Sequence, residues 1–189
     1  MKKLSTLILL AFFSFGCSNS MEKSMNPFFT DYDAPYQIPP FDEVKEDHYM
    51  PAFEKGMKEQ LEEIDQIANN PEQPTFENTL VELERTGKTL SKVADVFFNL
   101  LSSNTNELMD KIAAEVSPKL SAHSDAISLN KKLFDRVHAV YEQRNELGLS
   151  TEQMRLVEET HKGFIRSGVQ LDTPSMDKVT QINQELSSL

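Results

Sequence analysis

The chain has 189 residues, enough for one domain of ordinary size or part of one. It carries 30 acidic residues against 19 basic ones, a net charge of −11, which argues against nucleic-acid binding because that needs a basic footprint. Hydrophobic residues make up 39% with 12 Phe, so a core can form; Gly is scarce and strand-like alternation nearly absent, so the expected class is all-α.

The chain opens with the short positive run Met1-Lys2-Lys3, followed by the mostly apolar Leu4–Phe13. That stretch is shorter than the ~20 residues of a membrane span. Ser14-Phe15-Gly16-Cys17 and polar Ser18-Asn19-Ser20 complete the layout of a secretory signal peptide over residues 1–16. Cys17, the only cysteine, sits where cleavage would fall, after a small residue. This resembles a bacterial lipoprotein signal, in which Cys17 becomes the lipidated first residue. Such signals usually have Leu three positions before the Cys and a small residue two before; here Ser14 and Phe15 stand there. The other reading is an ordinary signal peptide or anchor with an incidental Cys. On the lipoprotein reading the protein is exported to the periplasm and held on a membrane. Residues 18–26 are then a polar tether, and the mature chain has 17 basic residues against 30 acidic, a net charge of about −13. The acidity reads as solubility, spread along helix faces. One Cys excludes an internal disulfide.

Residues 27–42 interleave Pro35, Pro39 and Pro40 with Phe28, Phe29, Tyr32, Tyr36, Ile38 and Phe41. Proline prevents helix here, and the aromatic side chains favour burial. An extended arm packed on the helices is expected; a flexible linker is the alternative.

Six helices are expected after the arm. The first starts near Asp47 with Pro51 in its first turn, buries Phe53, Met57, Leu61, Ile64 and Ala68, and stops at Asn69-Asn70-Pro71. The second is capped by Thr75 and runs unbroken along a seam of Phe76, Leu80, Leu83, Gly87, Leu90, Ala94, Phe97 and Leu101. Gly87 on that seam allows close backbone approach. The third begins around Asn106 with Leu108, Ile112, Val116 and Leu120 in line, and Pro118 should kink or break it. The fourth follows Asn130, carries Leu133, Phe134, Val137, Val140, Tyr141 and Leu147, and ends at Gly148. Ser150 and Gln153 form a capping box for the fifth, with Met154, Val157, His161, Phe164 and Ile165 inward and Gly168 closing it. The last is expected over Thr173–Leu189, capped by Thr173 with Pro174 at its first position. Its stripe of Met176, Val179, Ile182, Leu186 and Leu189 still runs at the final residue, so the chain reads as the front part of a larger protein. Short connections make neighbouring helices antiparallel.

The side chains show little chemistry. None of the four histidines, His48, His123, His138 and His161, is followed by Glu, so H-E-x-x-H is absent. His138 and Glu142 are four apart and could share a metal, but such pairs are common by chance. His123 and Asp125 are two apart and do not share a helix face. His161 lies in its helix's apolar stripe, which suits a satisfied, partly buried histidine. Glu62-Glu63 and Glu158-Glu159 read as solvated faces. No G-x-S-x-G, phosphate loop or calcium loop occurs. No catalytic, cofactor-binding or metal residue is assigned; Cys17 is the one modification site expected.

Several ordered blocks do resemble one family. They are Pro35-Tyr36-Gln37, Pro39-Pro40-Phe41-Asp42, His48-Tyr49-Met50-Pro51-Ala52-Phe53-Glu54-Lys55-Gly56-Met57, Ala68-Asn69-Asn70-Pro71 and Pro74-Thr75-Phe76-Glu77-Asn78-Thr79. Val96-Phe97-Phe98-Asn99-Leu100, Ala114-Glu115-Val116-Ser117-Pro118-Lys119-Leu120, His123-Ser124-Asp125-Ala126-Ile127, Leu129-Asn130 and Ile182-Asn183-Gln184-Glu185-Leu186-Ser187 continue the match. Together they resemble the opening of the thimet oligopeptidase and oligopeptidase A family of zinc metallopeptidases, and within it the bacterial peptidyl-dipeptidases (dipeptidyl carboxypeptidases). The resemblance covers roughly residues 26–189. It implies a largely helical, two-lobed enzyme around a deep channel, with zinc held by H-E-x-x-H and a later Glu, water attack on a peptide carbonyl, and release of C-terminal dipeptides from short peptides. All zinc-site residues of that family lie beyond anything present here. The chain would then be an N-terminal helical region, inactive alone, that lines the channel and restricts substrates to short peptides. The partners implied are those peptides, the catalytic part, and a membrane through the lipid. The alternative is a stand-alone helical lipoprotein that binds or scaffolds without catalysis.

Overall fold

The computed structural model describes residues 25–187. The signal segment, Cys17, most of the tether and Leu189 lie outside the described residues. Among the described residues there are helices and no strands, as the composition implies.

Six helices of thirteen to twenty-three residues carry the fold: α1 (Glu46–Ala68), α3 (Lys88–Ser103), α4 (Glu107–Ser128), α5 (Lys131–Gln143), α6 (Thr151–Ser167) and α7 (Thr173–Leu186). A single-turn α2 (Glu82–Arg85) follows a π-helical turn at Phe76–Val81. Helix α1 is the spine. Tyr49 and Phe53 meet Phe97, Gly56 meets Leu90 and Gln60 meets Thr86, so α3 runs antiparallel to it. Contacts of Glu46 with Asn106, Glu54 with Lys119 and Gln60 with His123 place α4 parallel to α1, because α3 intervenes in sequence. Helices α5 and α6 form an antiparallel hairpin, and α7 lies on α4.

Two clusters make the core. One joins Phe28, Tyr49, Ala52, Phe53, Val93, Val96, Phe97, Met109, Ile112 and Val116. The other joins Ile64, Ile67, Phe76, Leu80, Leu133, Phe134, Val137, Val140, Val157, Phe164 and Val169. Helix α1 feeds the first with its front half and the second with its back half.

Several expectations are corrected. Pro51 sits at the sixth position of α1, in the second turn, where its ring displaces one ladder hydrogen bond. The buried face of α1 is Tyr49, Ala52, Phe53, Gly56, Ile64 and Ile67; Leu61 points to solvent, since this face is rotated from the one its apolar spacing suggested. The expected long second helix is broken. Thr75 does cap it, in a reciprocal pair with Asn78, but the π-turn shifts the helical register and Thr86-Gly87 ends α2. Gly87 has φ +74, a left-handed conformation that suits glycine, and serves as the cap of α3. Close approach of the two backbones occurs instead at Gly56, where an added Cβ would lie 2.7 Å from Leu90 N.

Pro118 neither breaks nor ends α4, which runs through it; Ser117 Oγ donates to the Ala113 carbonyl one turn back, 2.7 Å away. Met109 replaces Leu108 on its buried face. Helix α5 ends at Gln143, before Leu147 and Gly148, which lie in the following turns and are exposed. The cap of α7 is Asp172, whose Oδ1 accepts from Ser175 N at 2.9 Å, so Thr173 and Pro174 are its first two residues. The box on Ser150 and Gln153 and the left-handed Gly168 (φ +94) stand where the sequence places them.

The arm is half as expected. Asn26, at the end of the expected tether, caps a short 3-10 turn at Pro27–Phe29 and donates to the His48 carbonyl at 2.7 Å. Phe28 is buried against Tyr49. The later aromatic residues are not buried: Tyr36 and Phe41 face solvent, as does Ile38.

Candidate functional site

The first place where polar side chains converge is the break before α3. Gly87 N–H donates to Glu63 Oε2 at 2.8 Å, supplying a carboxylate acceptor to the N-terminus of α3. Gln60 Nε2 donates to Thr86 Oγ1 at 3.1 Å, and the Thr86 hydroxyl donates to the Leu83 carbonyl at 2.9 Å. With its NH2 so used, the Gln60 amide oxygen accepts from His123 Nε2, 2.8 Å away. That assigns the Nε2–H tautomer to His123 and leaves its buried Nδ1 without a protein partner. Burial holds His123 below the ordinary histidine pKa, so it is neutral at pH 7. Glu63 is therefore a helix-capping group, not the freely solvated one its Glu62-Glu63 pair suggested.

An open cleft of about 510 Å³ lies beside this network, lined by Glu63, Gln66, Asn70, Asn78, Glu82, Arg85 and Lys88 among others. A second, of about 480 Å³, shares Glu63, Gln66 and Lys88 and continues toward Thr30 and Asp31. The lining mixes carboxylates, amides and cations. It can accept polar groups by hydrogen bonding but presents no nucleophile hydrogen-bonded to a base.

Two residues lining the first cleft, Asn70 and Asn78, are held by a buried cation. Arg136 Nη1 donates to the carbonyls of Asn70 (2.8 Å) and Glu72 (3.0 Å), and Nη2 to Asn78 Oδ1 (2.9 Å). Desolvation lowers its pKa, opposed by Glu72, yet an arginine stays charged at any relevant pH. It pins the connection after α1 to the start of the π-turn. Sequence patterning missed it because an arginine among apolar positions of a helix carries no signal of which carbonyls it will reach.

The second convergence is aromatic. His138 Nδ1 and His161 Nε2 are 3.0 Å apart, one ring donating to the other. His161 lies flat on Tyr141 (3.9 Å, 6°), and the Arg144 guanidinium sits 3.8 Å from the Tyr141 ring centroid. Burial lowers the His161 pKa, helped by His138 and Arg144 and opposed by Glu142. His161 is thus the satisfied, half-buried histidine its position implies. His138 takes His161 as partner across the hairpin. The ring centroids are 5.2 Å apart, the spacing of two imidazoles pointing nitrogen at nitrogen along one line. With one proton between the facing nitrogens, the pair does not offer two lone pairs to a common ion.

The remaining candidates are separate. His48 Nδ1 accepts from Lys45 N at 3.1 Å at the start of α1. Asp125 turns away from His123 and accepts from Asn183 Nδ2 at 2.9 Å, tying α4 to α7. Glu158 pairs with Arg144, and Glu159 with Arg155 and Lys162. Among the described residues no group of three or more His, Cys, Asp or Glu side chains could hold a metal ion, and no helix is long and apolar enough to cross a membrane.

No family model matches the chain. Among curated proteins it is 40% identical over 166 residues to a dipeptidyl carboxypeptidase of Salmonella typhimurium and 39% identical over 166 residues to that of Escherichia coli. Each match covers 88% of this chain and 24% of the relative. Oligopeptidase A of Haemophilus influenzae is more distant, 25% identical over 152 residues, covering 80% of this chain and 22% of that protein. The chain thus spans about a quarter of the length of the curated relatives it matches, and it is a homologue of the dipeptidyl carboxypeptidases and, further off, of the oligopeptidases A.

Proposed function

We propose that this homologue of the dipeptidyl carboxypeptidases is the N-terminal helical region of a zinc metallopeptidase that releases C-terminal dipeptides from short peptides. The observation that carries the reading is identity of 40% along 88% of the chain, matched to only 24% of the relative. Correspondence over nearly all of this chain and a small share of the other is what one structural region of a larger enzyme gives. The exposed apolar side of α7 supports it: the helix has no buried residue, and Ile182 and Leu186 face solvent.

The zinc belongs to the part not present. The described residues do not fit it: His138 and His161 face each other nitrogen to nitrogen, and among the described residues no third donor joins them. Its contribution is steric. A rigid helical wall, braced by α1 and its two cores, excludes folded proteins from a channel and leaves room for short peptides. The mixed-charge clefts along α1 are the surfaces where extended peptides would find hydrogen-bond partners. Export by residues 1–16 and lipidation of Cys17 would hold the enzyme at a periplasmic membrane surface.

The deciding experiment follows the reading frame past Leu189 and assays its whole product. An H-E-x-x-H further on, bound zinc, and chelator-sensitive release of C-terminal dipeptides support the reading. A reading frame that closes at Leu189 overturns it and favours the stand-alone helical lipoprotein. Labelling with a palmitate analogue, lost in Cys17→Ser, tests the anchor separately.

A further inference from the structure

The arm has two halves of opposite character. Its first half is anchored at Phe28, which is 1% exposed, and Lys92 reaches across to the Thr30 carbonyl (3.0 Å) and over the Tyr32 ring. Its second half turns its apolar side chains outward. Tyr36 is 97% exposed, and Ile38 and Phe41 are each 51% exposed, within six residues. The backbone there is in an uncommon conformation. Tyr36 and Gln37 have φ of 61° and 55°, left-handed values that side chains other than Gly, Asn and Asp rarely adopt, and they stand between Pro35 and Pro39-Pro40. A turn stiffened by prolines thus holds a tyrosine clear of its own fold.

Two features bear on what would cover this surface. The segment just before the structure, Ser18-Asn19-Ser20-Met21-Glu22-Lys23-Ser24, has one apolar side chain in seven and cannot supply an apolar cover. The relatives, by contrast, are about four times as long as the stretch matched here, so most of such a polypeptide lies outside it. Tyrosine, isoleucine and phenylalanine side chains held in a stiff loop suit the anchoring role at a protein interface, because little conformational freedom remains to be lost on docking.

We propose that Tyr36, Ile38 and Phe41 form a docking surface for the catalytic part of the same peptidase, so that the proline-stiffened turn clamps the helical region to it. The proposal rests on the peptidase reading above.

Hydroxyl-radical footprinting read by mass spectrometry tests it without altering the protein. The 189-residue chain and the full product of its reading frame are oxidised side by side. Oxidation of Tyr36 and Phe41 is expected to be about tenfold slower in the longer product. Equal rates in the two would overturn the proposal, as would protection in the short chain that disappears on dilution, which would make a second copy the cover. Zinc content and dipeptide release, measured on the same longer product, keep the two readings apart. An active zinc enzyme with Tyr36 as reactive as in the short chain sinks only the docking surface; a reading frame that closes at Leu189 sinks both. Tyr36→Ser gives a second readout: the short chain should melt unchanged, and the longer product should melt earlier. Equal melting of variant and parent in the longer product would count against the clamp.

Discussion

The core around Phe97 and the core around Val137 share helix α1 but are built differently. In the first, rings pack on rings: Tyr49 on Phe97 at 4.9 Å and Phe53 on Phe97 at 5.4 Å, both near edge-to-face. Apart from the tyrosine hydroxyls of Tyr49 and Tyr32, its packing is aromatic and aliphatic. The second has a centre of Leu80, Leu133, Val137, Val140 and Val157, rimmed by Arg136, His138, His161 and Tyr141. The first should therefore respond to changes of volume and hardly to pH. The second should respond to loss of polar partners and to protonation. The clefts lie where α1 passes from one core to the other, at the seam between an aromatic unit and a titratable one.

The strongest way to test the contrast is Phe97→Ala. It empties the centre of the ring cluster and should cost about 4 kcal/mol in urea unfolding, at pH 7 and pH 5 alike. A loss that depends strongly on pH would break the distinction. Arg136→Met comes next. It removes the donor to two carbonyls and to Asn78, and should cost about 2–3 kcal/mol while detaching the connection after α1. Faster amide exchange confined to residues 69–82, with the Phe97 core still protected, is the expected pattern.

Gly56→Ala strikes α1 where both cores depend on it. The new Cβ would lie 2.7 Å from Leu90 N and 2.8 Å from Leu90 Cα, atoms of a helix backbone that cannot turn aside. Alanine returns about 1 kcal/mol of helix propensity, and overpacking outweighs it, for a net loss of about 1–2 kcal/mol. A stabilised variant would show that α1 and α3 can separate freely.

The smallest effect is the pH response of the second core. His161 has a lowered pKa in the folded chain, from burial first and then from His138, so below pH ~6.5 the unfolded chain binds more protons than the folded one. Stability should be full above that pH, decline as pH falls through it, and level off once the folded histidine also titrates. His123, lowered by burial, adds in the same direction. His161→Phe should flatten the unfolding midpoint between pH 7 and pH 5, leaving the share due to His123. An unchanged slope would remove the His138–His161 contact from the account.

Much of the fold was legible in residue order. The cap at Thr75, the capping box of Ser150 and Gln153, the stop at Asn69-Asn70 and the closing Gly168 depend on backbone groups within a few positions, so local chemistry decides them. The site was hardly legible. Glu63 capping α3, Arg136 gathering carbonyls some sixty residues away, and His138 meeting His161 join positions that no local pattern relates. The seam from Phe76 to Leu101 misled because periodicity does not register a π-turn, which adds a residue without changing which side chains are apolar.

By itself the sequence determined an all-helical chain, where most helices begin and end, its acidic surface, and its kinship with the dipeptidyl carboxypeptidases, since composition, caps and ordered blocks are properties of neighbouring residues. Only the tertiary structure decided that Gly56, not Gly87, is the close crossing, that α4 lies parallel to α1, and that Tyr36 stands outside its own fold. Each of these depends on which surfaces meet across long stretches of chain, and that is settled by packing many side chains at once.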